Sequence, residues 1–161
     1  MQNITEQFSV VLTILAEKKA QRDEAAHAKT KLEADFVRDA IPCIQVAIRV
    51  FIEVGNFLQE AGHSYQFKKI PAGTTANQVQ TGTEFVFFPA GLPQSSKLEY
   101  PKLTIRGDIQ SQRLVVTTRP VTYEGDVLEA APEEMICAAV TREWIAGKIS
   151  TLLNASVSNW D

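Results

Sequence analysis

Apolar residues recur at three- and four-residue steps from Ile41 to Leu58. Ile41, Ile44, Ile48, Phe51, Ile52 and Leu58 form one row, and Cys43, Ala47, Val50, Val54 and Phe57 form a second beside it. That is the period of a helix. Only Gln45, Arg49, Glu53 and Asn56 supply a polar edge, so this helix is expected to be covered on most of its circumference. Arg49 and Glu53 interrupt it too soon for a bilayer span. The pattern predicts a core helix over residues 42–61, with Pro42 as its first residue and Gly62 as its stop.

Ahead of it, Asn3 and Glu6 resemble a capping box. Ile4, Phe8, Val11, Leu12 and Leu15 give an apolar face. From Lys18 to Lys31 strong helix formers carry almost no large apolar group. Residues 4–39 are therefore expected to form a long, partly protruding helix, with Pro42 breaking or kinking the path beyond it.

After Gly62 the period changes to that of strands. Tyr65–Ile70, Thr83–Phe88, Lys102–Arg106 and Arg113–Arg119 read as strands, with Val121–Tyr123 as an extension past a bend. Pro71–Gly82 reads as a polar loop with some strand pairing, and Pro89–Lys97, rich in proline and serine, as an exposed loop. Pro132, Glu133 and Glu134 suit the opening of a last helix over residues 132–155. Its apolar face would carry Ile136, Val140, Trp144, Ile145, Ile149, Leu152 and Leu153, and Gly147 would permit close packing.

The expected fold is α+β: an antiparallel sheet of three to five strands covered by helices, in the order α-α-β-β-β-β-α, with a long N-terminal helix. The sheet would span residues 64–123, in a single domain of residues 1–161. Phe67, Phe85, Phe87, Leu103, Ile105, Leu114 and Val116 would face the helices.

The charge distribution adds one feature. The net charge is −3, but residues 64–121 carry 7 basic groups against 3 acidic ones, while residues 122–161 carry 2 against 7. Alternation puts Lys102, Thr104 and Arg106 on the face opposite Leu103 and Ile105, with Arg113, Val115, Thr117 and Arg119 beside them. Lys68 joins if Phe67 points inward. Lys68, Lys102, Arg106 and Arg119 are thus the candidate binding residues for an anionic ligand or nucleic acid. The acidic C-terminal third, Glu129, Glu133, Glu134 and Glu143, competes to neutralise them.

Other chemistry finds little support. Cys43 and Cys137 both fall on apolar faces, as small buried hydrophobes do, and sequence alone cannot pair them. His27 lies on the polar helix and His63 just past a helix end, so neither is placed to activate a nucleophile. Asp23, Glu24 and His27 read as surface ion pairing rather than as metal ligands. Arg106-Gly107-Asp108 reads as a strand entering a hairpin turn. No motif calls for a catalytic residue, cofactor or metal. With no signal peptide or membrane span evident, the expectation is a cytoplasmic, non-catalytic protein acting by protein association. Its N-terminal helix would mediate self-association, and the basic sheet face is the alternative site.

Overall fold

The computed structural model describes residues 4–75, 78–91, 98–122, 125–128 and 132–157, with the backbone alone at residues 7, 71–75 and 78–81. Its elements are helix α1 (Ile4–Glu60), strands β1 (Ser64–Thr75), β2 (Gln78–Phe88), β3 (Lys102–Asp108), β4 (Arg113–Arg119) and β5 (Glu133–Met135), and helix α2 (Arg142–Val157). The five strands form one antiparallel sheet in sequence order. The α+β architecture is as the sequence pattern predicts. By packing, the chain divides into two compact units, Met1–Asp35 and Phe36–Asp161.

The first unit is helical. Hydroxyls of Ser9, Thr13 and Thr30 donate to carbonyls three or four residues earlier, which keeps these side chains on the helix surface.

In the second unit, α1 continues through Pro42 rather than starting there. Proline costs a helix one N–H donor and crowds the preceding turn. Packing overrides this: Phe36, Ala40, Ile44, Ala47 and Phe51, spaced by four, four, three and four, are all buried. Only one side of the helix is covered, contrary to the expectation. Ile41, Ile52 and Phe57 remain 40%, 36% and 69% exposed. One stretch of α1 is long and apolar enough to cross a membrane by length and composition. A mostly buried core helix meets the same description, but this stretch is only 28% buried, although residues from Phe36 to Phe51 contribute to this core. Gly62, at φ 92°, ends the helix. The His63 amide bonds back to the Leu58 carbonyl at 3.0 Å, a closure that favours glycine's left-handed backbone.

The inward strand residues behave as alternation requires. Phe85, Phe87, Leu103, Ile105, Leu114 and Val116 are buried, and Phe67 packs half-buried against them. Phe51 meets Phe85 at a ring separation of 5.3 Å. Ile145, Ile149 and Leu152 of α2 complete the core. Full burial of each such side chain is worth roughly 1.5–3 kcal/mol.

One expectation is extended and one corrected. The strand pairing expected within Pro71–Gly82 takes up its described positions: β1 and β2 pair again at Gly73↔Gln80 after a register shift beyond Ile70. Pro71 has no N–H for the ladder, so the shift falls where pairing would fail. Residues 133–135 are strand, not helix. Glu133 lies opposite Val116 and Glu134 opposite Val115, so the two carboxylates leave on opposite faces. The helix starts nine residues later, where the Thr141 hydroxyl accepts from the Trp144 amide at 3.2 Å as an N-cap does. Ile136 is therefore outside α2 and 55% exposed. Val121 bridges to Val127, while Tyr123 lies outside the described residues. At Gly147 an added Cβ would meet nothing within 4 Å, so close packing does not explain that glycine.

Candidate functional site

The sheet face turned away from the core carries a concavity of about 340 Å³. Its floor comes from three central strands: Glu84 on β2, Thr104 on β3, and Thr117 with Val115 on β4. Register sets this floor, since Glu84 is opposite Thr104 and Thr104 opposite Thr117. The Thr104 hydroxyl donates to Glu84 Oε2 at 3.2 Å, which orients the carboxylate along the floor.

Three cations surround it. Lys102 stands directly opposite Arg119, at cross-strand spacing of about 5 Å. Arg106 lies four residues from Lys102, about 13 Å along the strand. Its position is prepared by Gly82, its neighbour on β2. A Cβ on Gly82 would fall 2.6 Å from the Ile105 carbonyl oxygen and 3.2 Å from Arg106 Cγ. The missing side chain leaves the space that the Arg106 stem fills.

Of the candidate residues, Lys102, Arg106 and Arg119 thus converge, and Lys68 does not line the concavity. Lys68 is opposite Glu84 on the outer strand β1, exposed. Arg113 sits at the far end of β4, opposite Asp108. Sequence reasoning passed over Glu84. The alternation that turns Phe85 and Phe87 inward also turns Glu84 outward, and that was the available signal.

Among the described residues, no acid of the C-terminal third forms an ion pair with this patch. Glu133 points to the helix side and pairs with Lys148 at 2.5 Å. Glu134 shares the outer face, one strand from Arg106 across Val115. Glu143 is exposed on α2, and Glu129 lies outside the described residues. Lys102 pairs, among the described residues, with Glu99 at 3.7 Å. Among the described residues neither Arg106 nor Arg119 forms an ion pair. Phe88, the aromatic on this face, is turned edge-on to buried Tyr100 at 4.7 Å.

His63 and Asp108, two polar groups singled out in the sequence, have structural partners. His63 Nδ1 accepts from the Ala90 amide at 2.9 Å. Both Asp108 oxygens accept within the β3–β4 turn, from the Gln110 amide and the Ser111 hydroxyl, so the Arg-Gly-Asp carboxylate is engaged locally. Among the described residues no three of His, Cys, Asp and Glu cluster as a metal site would require.

The second exposed feature belongs to the first unit. Ile4, Phe8, Val10, Val11, Leu12, Ile14 and Leu15 are each between 45% and 69% exposed. Around the helix they cover an arc of roughly 200° at 100° per residue. An exposed apolar surface this continuous marks a contact with another protein or with a membrane. Comparison with protein-family models, with curated proteins and with solved structures gives no match to this chain.

Proposed function

We propose that the protein is non-catalytic and works by association with a second copy of itself through the first four turns of α1. The observation that carries this reading is the exposed row Ile4, Phe8, Val11 and Leu15. Its four-three-four spacing is the seam of a helix pair.

The residues that follow select the orientation. Continued along the helix, the seam passes through Lys18, Arg22 and Lys29. A parallel pair would set each cation against its own copy. An antiparallel pair overlapping on residues 4–15 joins the apolar rows and leaves those cations outside the overlap. The resulting contact is self-complementary about a two-fold axis, the commonest symmetry of homo-oligomers.

The test is light scattering at micromolar concentration. Wild type should show the mass of a dimer, and Phe8→Glu with Val11→Glu should show a monomer of unchanged helix content. A monomeric wild type ends this reading. So does a monomer that sediments with lipid vesicles, which would assign the apolar row to a membrane surface instead.

A further inference from the structure

We propose that the concavity on the outer sheet face binds a small phosphate monoester, one whose organic part carries a hydroxyl group. This goes beyond self-association and involves none of the residues invoked for it.

The charge comes first. Lys102, Arg106 and Arg119 surround one hollow, and their like charges repel, partly screened by water because both arginines are exposed. Glu84 on the floor and Glu99, paired with Lys102, offset part of this charge, while Arg106 and Arg119 form no ion pair among the described residues. An anion seated between the Lys102–Arg119 pair and Arg106 relieves that repulsion. Arginine's planar fork meets phosphate through two parallel hydrogen bonds.

The floor then selects among anions. Glu84 already accepts from Thr104, and its carboxylate has further lone pairs. A bare anion over the floor would be repelled by Glu84. A molecule with its phosphate at the cations and a hydroxyl over Glu84 satisfies both ends, the hydroxyl donating to the carboxylate. Thr117, opposite Thr104, offers a second hydroxyl to the same ligand.

Size and surroundings argue against a polymer. About 340 Å³ is at the small end of small-molecule sites. Binders of single-stranded nucleic acid stack bases on exposed aromatics. Here Phe88, the aromatic of this face among the described residues, does not line the hollow, so no aromatic floor lies between the cations there.

The experiment is an amide NMR titration with glycerol phosphate, inorganic phosphate and a short single-stranded oligonucleotide, each at matched ionic strength. Glycerol phosphate should shift the amides of β3 and β4 around Thr104 and Thr117 and saturate in the millimolar range or below. Arg106→Gln with Arg119→Gln should weaken it at least about tenfold, the loss of one or two charged hydrogen bonds. Retained amide dispersion would confirm that this double variant folds. Glu84→Gln should remove the preference for glycerol phosphate over inorganic phosphate and leave inorganic phosphate bound at least as well. Equal affinity of wild type and the double arginine variant would overturn the proposal. So would an unchanged preference in Glu84→Gln, or tighter binding of the oligonucleotide than of glycerol phosphate.

Discussion

The Cys43 thiol donates to the Cys137 carbonyl oxygen across 3.2 Å, joining α1 to the segment after β5 over 94 residues of chain. Both cysteines are free and partly buried. Burial, with Cys43 close by, pushes the Cys137 thiol up from 9.0 to about 11. The thiolate is the reactive form, so alkylation of Cys137 by iodoacetamide should be slow at neutral pH and accelerate toward pH 11. A raised thiol value means that the folded state holds its proton longer than the unfolded chain. Stability should therefore fall as pH rises from about 9 to about 11. Cys43→Ala should lower the pH at which Cys137 is alkylated, and an unchanged profile would sink this account.

Phe51 is fully buried against Phe85. Phe51→Ala should cost about 3–5 kcal/mol, read from urea unfolding midpoints. Lys29, exposed on the N-terminal part of α1, should change stability by less than about 0.5 kcal/mol when made alanine. Equal midpoints for the two variants would mean that the core is elsewhere.

Two helical glycines should respond to alanine with opposite signs. A Cβ on Gly55 would fall 2.3 Å from the Tyr65 ring. That ring is held by stacking on Phe85 at 5.9 Å and by its hydroxyl donating to Asn56 Oδ1 at 3.2 Å. Gly55→Ala should therefore destabilise, despite alanine's better helix propensity. Gly147, with open space around it, should gain up to about 1 kcal/mol as alanine. Thermal melting of both variants checks the pair.

Arg142, at the start of α2, bonds to Glu53 of α1. The guanidinium holds the Glu53 carboxyl below its ordinary value of 4.5. The contribution is present above that value and disappears as pH falls through the lowered one. Both side chains are exposed, so water screens the pair and the effect is small. Glu53→Gln should lower the urea midpoint slightly at pH 7, and the deficit should shrink as pH falls below 4.5. A deficit that persists in acid would locate the role of Glu53 in packing rather than charge.

How much of this was legible in sequence depended on whether an element had an apolar face. Strands β3 and β4 alternate cleanly, with Leu103, Ile105, Leu114 and Val116 inward, and their outward cations followed without the structure. The outer half of the β1–β2 hairpin has polar residues at both parities, so no alternation marked it as strand. Residues 133–135 contain one apolar side chain, Met135, and their pairing with β4 is a tertiary fact. The proline and two acids fitted a helix start equally well. Pro42 carried a strong local signal that buried neighbours on either side overruled. Site membership needed register: alternation turned Glu84 and Lys68 outward with Arg106, but strand pairing sets Glu84 beside Thr104 and leaves Lys68 beyond it on the outer strand.

Because each strand pairs with the one before it, the sheet can assemble hairpin by hairpin as the chain leaves the ribosome. Helix α1 cannot use that order. Its inward row, Phe36 to Phe51, is made first, yet packs with Leu103 and Leu114 in one core cluster. At roughly 5–20 residues per second, several seconds of synthesis separate the helix from its cover. During that interval the most apolar stretch of the protein has no sheet to lie on, which makes α1 the segment most exposed to chaperone capture and nascent-chain aggregation.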